Sequence, residues 1–281
     1  MDISGIIQGI AANSAQAIKE EAGDYVQDGL LHCGRCNTPK QCRINLLGES
    51  ATVFCLCRCM KEAQDAAEAE RVHAEHLRRL DRMRRTGFPD ADMMQWTFEA
   101  DDGANAKLST AARKYVENFE KLAADGKGLL LFGGVGTGKT FAAACIANAL
   151  IDKGVSCFVS SISRIINVAQ NNEANGGKQA YLDNLNRFDL LVLDDLASER
   201  DTEYMLEMVQ TIIDARYRSG RPMIVTTNLT GEELKHPEDM RKQRIYSRLF
   251  EMCIPIEVTG DDRRKKKLTA DYNAYRGLLG L

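Results

Sequence analysis

Three sets of residues have types and spacings suited to chemistry. The run Gly133-Gly134-Val135-Gly136-Thr137-Gly138-Lys139-Thr140 fits a phosphate-binding loop. Its glycines allow backbone N–H groups to turn inward onto phosphate oxygens, and the helix that follows adds the positive end of its dipole. In such a loop Lys139 reaches the β- and γ-phosphates and the Thr140 hydroxyl ligates Mg²⁺. These eight residues and Phe141 behind them form the expected nucleotide-binding set. The second set is Asp194-Asp195, which closes the four-residue apolar run Leu190-Leu191-Val192-Leu193 that follows Asp189. Asp194 is placed to hold Mg²⁺, directly or through water, and Asp195 to position or deprotonate an attacking water. Asn228, after Met223-Ile224-Val225-Thr226-Thr227, is placed to orient the same water. The expected ligand is a nucleoside triphosphate.

The third set is cysteine. Of nine cysteines, six fall between positions 33 and 59, as Cys33-x-x-Cys36, Cys42, and Cys55-x-Cys57-x-Cys59. Cys-Gly-Arg-Cys suits a turn pointing two thiolates at one Zn²⁺, and the second cluster supplies the other two ligands of a tetrahedral site. If 55–59 is extended, its three cysteines share one face and one is spare. The favoured ligands are Cys33, Cys36, Cys57 and Cys59, with Cys55 or Cys42 as substitutes. Cys145, Cys157 and Cys253 stand singly in apolar surroundings and read as core.

The elements that position these residues follow from pattern. The chain has 281 residues, a formal net charge of −3 and no apolar run long enough to span a membrane, so a polyanion-binding surface must be local. The first sixteen residues lack the basic and apolar regions of a signal peptide, and a cytoplasmic protein is expected. Residues 61–85 contain no Gly or Pro; acids collect early and arginines late, with a thin apolar stripe, so a solvated connecting helix is expected there. Three regions are expected: a cysteine-rich module over 1–60, a helical connector over 61–100, and a nucleotide-binding domain over 101–281.

Within that domain the pattern predicts helices over 108–124, 139–152 and 203–218, and a helical region over 162–186 interrupted at Asn175-Gly176-Gly177. It also predicts short helices between 231 and 251, and strands over 128–132, 155–160, 188–193, 222–227 and 254–258. Alternation of this kind implies an α/β fold with a parallel sheet flanked by helices.

Arg244 and Arg248, in Arg241-Lys242-Gln243-Arg244-Ile245-Tyr246-Ser247-Arg248-Leu249, share a helical face. A guanidinium so presented can act on a neighbouring subunit's γ-phosphate, although two helical arginines alone more often face solvent. Taken in order, the phosphate loop, Leu-Leu-Val-Leu-Asp-Asp, Thr-Thr-Asn and Arg-Ile-Tyr-Ser-Arg-Leu-Phe resemble the AAA+ ATPases of the DnaC/DnaI-like replicative helicase-loader group. The IstB transposition-helper ATPase is a close cousin. The resemblance covers about residues 90–265.

That resemblance implies an AAA+ fold, ATP and Mg²⁺, ATP-dependent homo-oligomerisation with the active site between subunits, and single-stranded DNA binding. It makes Lys139 and Thr140 the Walker A pair, Asp194 and Asp195 Walker B, Asn228 sensor 1, Arg248 the arginine finger and Arg263 sensor 2. Asp195 stands where many members carry Glu, which implies slow turnover, and about twenty residues after the last strand leave no helical lid domain. Similar cysteine-bearing modules in phage and bacterial loaders are expected to grip a DnaB-like ring helicase. For DNA, Arg263-Arg264-Lys265-Lys266-Lys267, the arginines of 241–248 and the region 161–187 are candidates. Three readings follow: a helicase loader, an IstB-like transposition helper, and a metal-dependent interaction protein with ATP as a switch.

Overall fold

The computed structural model describes residues 20–46, 49–173, 176–197, 202–263, 276 and 278. The readings that fall on residues 1–19, on Asn175, and on the basic run and missing lid after Arg263 lie outside these residues. The chain divides into two units, Met1–Arg78 and Arg79–Leu281.

In the first unit, β1 (Tyr25–Gln27) and β2 (Leu30–His32) form an antiparallel hairpin. Its two-residue turn, Asp28-Gly29, has φ of 54° and 73°. Both are left-handed, as the turn that matches strand twist demands, and Asp-Gly tolerates this. A second hairpin pairs β3 (Gln41–Leu46) with β4 (Glu49–Phe54). Helix α1 (Arg58–Gly87) starts directly afterwards, so an expected boundary at 60/61 falls within its first turn. Among the described residues of this unit the apolar core is small; the most buried side chains include Leu31, Cys33, Lys40 and Cys57. Lys40 is 1% exposed and ion-paired to Asp24. The Asp24 carboxylate also accepts from Gly34 N–H at 3.0 Å. Those bonds hold its pKa down at about 2, Lys40 being the largest cause.

The second unit is a five-stranded parallel sheet in the order β6-β7-β8-β5-β9. The strands are β5 (Gly128–Phe132), β6 (Cys157–Ser161), β7 (Leu190–Leu196), β8 (Met223–Thr227) and β9 (Cys253–Glu257). Their side chains alternate between two cores, as strand geometry requires. Leu130, Leu191, Leu193, Met223 and Val225 face one core, built with Ile165 and Ile166 of α5 (Ile162–Glu173), Leu182 of α6 (Lys178–Leu185), Ile213 of α7 (Glu203–Ser219) and Leu249 of α9 (Met240–Met252). Leu129, Leu131, Leu190, Val192 and Ile224 face the other, with Tyr115 of α2 (Ala106–Glu117), Phe119 of α3 (Phe119–Ala124) and Ile146 and Leu150 of α4 (Lys139–Asp152). A short helix, α8 (Gly231–Lys235), follows β8 with a complete Thr230/Glu233 capping box.

Four expectations change. The helix over 108–124 is two helices, because Asn118 turns its side-chain amide onto Lys114 O at 2.8 Å and ends α2 there. The strand at 155–160 is shifted to Cys157–Ser161. The strand ending at 193 continues to Leu196 through a register shift against β8, so Asp194 and Asp195 lie inside a bulged strand. Finally, 55–59 is not extended: β4 stops at Phe54 and α1 starts at Arg58, so its three cysteines do not share a strand face.

Candidate functional site

The parallel order β7-β8-β5 puts the C-terminal ends of these strands side by side. Phe132 pairs with Thr227, and Thr227 with Leu196. Gly133 and Asn228 follow directly after β5 and β8, and Asp194-Asp195 lie in the bulged last part of β7, so all four stand at the edge where open α/β sheets bind ligands. The loop conformation follows from glycine: φ is 124° at Gly133, 75° at Gly136 and 97° at Gly138. A Cβ at Gly136 would lie 1.8 Å from the Asp262 carboxylate, and one at Gly138 3.0 Å from the Arg263 guanidinium. Only glycine permits both the turn and this approach.

Lys139 is 6% exposed. Its Nζ donates to Gly133 O at 2.8 Å, Gly134 O at 2.6 Å and Asn228 Oδ1 at 2.9 Å. The amide of Asn228 in turn donates to Asp195 Oδ1 at 3.0 Å. One polar chain therefore links the lysine of the loop to the second acid of β7. Asp195 has φ of 62°, a conformation costly for a residue with a Cβ. Thr226 sustains it: its hydroxyl accepts from Asp195 N–H at 2.9 Å and donates to Asp194 Oδ1 at 2.6 Å. The Asp194 carboxyl is pushed up chiefly by burial, against hydrogen bonds from Thr226 and Thr140 that lower it. A buried acid beside a threonine hydroxyl is a donor set suited to a hard divalent cation. Thr140 and Asp194 would hold Mg²⁺, and a loop turned by left-handed glycines around the Lys139 ammonium fits a polyphosphate.

Beside the loop, a cleft is lined by Phe98, Asp101, Asn105, Gly138, Phe141 and Arg263. Arg263 lies over the Phe141 ring at 5.6 Å, pairs with Asp102 at 2.5 Å, and its backbone N–H donates to Gly136 O at 3.0 Å. Trp96 lies 6.0 Å from Phe141, and its carbonyl accepts from the buried Asn148 amide at 2.9 Å. The expected site residues 133–141, 194, 195, 228 and 263 are thus brought to one edge of the sheet. Arg248 is engaged elsewhere: it is ion-paired to Asp214 of α7 and lies 5.8 Å from the Tyr217 ring, while Arg244 is exposed.

Sequence reasoning missed two parts of this site. Thr226 was read only as strand, though its place two residues before Asn228 was a usable signal. The segment 96–105 straddles the expected boundary between helical connector and nucleotide-binding domain and carries no expected role, although Trp96, Phe98 and the helix-capping Asn105 stand in it.

In the first unit, the Sγ atoms of Cys33, Cys36, Cys57 and Cys59 all lie within 4.8 Å of one another. Cys33–Cys59 is 3.5 Å and Cys57–Cys59 3.4 Å. Four sulfurs around a tetrahedral Zn²⁺ with bonds of about 2.3 Å sit about 3.8 Å apart, so the set fits that ion. Cys33 is held below the usual thiol range chiefly by the N–H of Cys36, and Cys36 is brought to about 5, chiefly by the Thr38 hydroxyl. Cys59 is pushed up to about 12, chiefly by its neighbour Cys57. Cys55 stands outside the cluster, its Sγ 3.5 Å from Pro39 O.

A phosphate loop, a strand-borne acid pair and a polar residue on the intervening strand, at the edge of this five-stranded sheet, define an AAA+ ATP-binding domain. The chain belongs to the IstB-like ATP binding protein family, whose model matches residues 61–270. It is similar to the replicative helicase loader DnaI of Bacillus subtilis (strain 168), 29% identical over 149 residues, which cover 50% of this chain and 48% of that protein. It is also similar to the replicative helicase loader DnaC of Escherichia coli (strain K12), 32% identical over 125 residues, which cover 44% of this chain and 50% of that protein. The chain therefore spans about half the length of these relatives. The crystal structure of the DnaC helicase loader matches with a TM-score of 0.53 at 24% identity, over 60% of this chain and 99% of that one, which shows the shared fold. Among the described residues, no helix is long and apolar enough to cross a membrane.

Proposed function

We propose that this protein is an ATP-dependent loader that delivers a DnaB-like replicative ring helicase to single-stranded DNA, and that it assembles through ATP bound between subunits. The observation that carries the reading is the polar chain Lys139–Asn228–Asp195 at the sheet edge, in a chain whose relatives are named as helicase loaders. On this reading Lys139 faces the β- and γ-phosphates. Asp195 accepts the proton of the attacking water, which Asn228 orients. Thr140 and Asp194 hold Mg²⁺, which supplies charge neutralisation at the phosphates when bound. Arg248 completes a neighbouring subunit's site, and Arg263 contacts the nucleotide of its own.

The four-cysteine unit takes Zn²⁺ in a structural role, because four thiolates leave no position for a reacting water. It is the part that docks on the helicase. Capture of the replicative helicase from the same source by the immobilised full chain, with ATP and Mg²⁺, tests this; no capture in any nucleotide state would refute it. The family match favours one second reading, an IstB-like transposition helper, which instead requires capture of a transposase and binding to duplex DNA.

A further inference from the structure

One buried polar side chain of the second unit lies apart from the chemistry of the phosphates. Among the described residues of α4, the buried polar side chains are Lys139 and Asn148, set in a run of Ala, Cys, Ile and Leu. Asn148 is 1% exposed. Its Nδ2 donates to Met93 O and to Trp96 O, both at 2.9 Å, while its buried Oδ1 accepts nothing among the described residues. A buried carbonyl left without a donor costs stability, and an apolar side chain of similar shape would avoid that cost. Stability alone therefore does not account for an asparagine here. What its two donated bonds hold in place does.

They hold a stretch with little regular structure of its own. Ala91–Gln95 form one short 3-10 turn and Phe98–Ala100 another, joined by extended backbone at Trp96 and Thr97. Met93, Trp96 and Phe98 pack on the core that contains α4. Phe141 and Asn148 are seven residues apart, so they share one face of α4 at about 10 Å along its axis. The Trp96 ring lies 6.0 Å from Phe141, and Phe141 and Phe98 both line the cleft beside the phosphate loop. Lys139 and Thr140 open the same helix. One rigid element thus carries phosphate-loop residues at its start and, two turns past Phe141, the fastening of the wall that faces the cleft.

We propose that Asn148 is a positioning residue for the nucleotide: by tying Met93 and Trp96 to α4, it sets the Trp96–Phe98 wall at the spacing from the phosphate loop that admits base and ribose. That end of the ligand is argued from chemistry. The loop and Lys139 meet the phosphates, whereas the adjoining cleft offers the Phe98 and Phe141 rings, the flat apolar surface that a purine requires. Asn148 touches no nucleotide and acts through the wall alone. The inference rests on the reading of residues 133–140 as an ATP site and deepens it.

The test uses Asn148→Leu and Asn148→Ala, which remove both donors, one keeping bulk and one removing it, so that an effect common to both is not one of packing. With the full-length protein and Mg²⁺, binding of ATP is compared with binding of inorganic tripolyphosphate, and the emission of Trp96, the single tryptophan, is recorded without ligand. Each neutral hydrogen bond is worth roughly two- to tenfold in an equilibrium constant, so both variants should bind ATP roughly tenfold more weakly and tripolyphosphate about as wild type does. KM for ATP should rise in step at unchanged kcat, because Lys139, Asp195 and Asn228 keep their places. The unliganded Trp96 emission should move to the red, and both variants should keep a cooperative thermal transition. Equal weakening toward ATP and tripolyphosphate, or loss of cooperative unfolding in both variants, would make Asn148 a residue of the fold and overturn the inference. Unchanged ATP affinity would overturn it too, whether or not the Trp96 emission shifts, and would leave the ATP site standing. A wild type that binds neither ligand would remove both.

Discussion

Replacing Thr226 by Val keeps the shape of a buried strand residue and removes one hydroxyl. Thr226 is 2% exposed and Asp194 8% exposed, so water does not readily take the hydroxyl's place. Two bonds disappear: the donor to the Asp194 carboxylate at 2.6 Å and the acceptor for Asp195 N–H at 2.9 Å. A hydrogen bond to a charged group is worth about 1.5–3 kcal/mol, which corresponds to roughly a 10- to 150-fold loss in hydrolysis rate or Mg²⁺ affinity. The left-handed backbone at Asp195 loses its anchor at the same time.

The pH behaviour has a defined sign. The Asp194 pKa is already raised above its unfolded value by burial. In the metal-free protein its contribution to stability is therefore complete below about pH 3.9 and lost as pH rises through the folded value. Thr226→Val removes a lowering bond, so that loss and the acid limb of the hydrolysis profile both move to higher pH. The assay is steady-state ATP hydrolysis against Mg²⁺ and pH, alongside nucleotide binding followed by the fluorescence of Trp96, the single tryptophan. ATP binding should survive, and Thr226→Ser should restore most of the rate. Wild-type turnover and Mg²⁺ requirement in Thr226→Val would refute the role given to this hydroxyl.

Lys139→Ala should abolish nucleotide binding while leaving the circular dichroism spectrum and thermal transition near wild type; ATP-dependent quenching of Trp96 reads this directly. Arg248→Ala should bind ATP but lose hydrolysis and nucleotide-dependent assembly. Mixing it with Lys139→Ala should recover some activity, and no recovery at any ratio would argue against a shared site. Purified protein should carry one Zn²⁺ per chain, and Cys36→Ser should lose it, unfold the first unit and abolish helicase capture while sparing ATP binding. Elemental analysis near zero under reducing conditions would contradict the zinc assignment.

The phosphate loop and its helix were legible because everything that shapes them is local: Gly136 and Gly138 supply the turn and Lys139-Thr140 open α4. The parallel sheet was legible from apolar runs such as Leu129-Leu130-Leu131 and Leu190-Leu191-Val192-Leu193, whose continuity reflects burial on both faces. What stayed hidden depends on contacts distant in sequence. The bulge at Asp194-Asp195 exists because Thr226, on another strand, offers a hydroxyl to both residues. The segment 96–105 becomes a cleft wall only through Phe141, Asn148, Thr259 and Arg263. The end of β4 at Phe54 was likewise hidden, since Cys57 and Cys59 take positions set by Thr38, whose hydroxyl receives the Arg58 N–H. Nor does helical spacing reveal that Arg248 pairs with Asp214.

The central claim is most directly tested by supplying the replicative ring helicase from the same source to closed circular single-stranded DNA carrying one annealed strand, with and without this protein, ATP and Mg²⁺ present. The account predicts strand displacement that depends on the protein, is lost with Lys139→Ala, and is lost with Cys36→Ser despite intact ATP binding. Displacement equal with and without the protein, under conditions where the helicase cannot load itself, would contradict it.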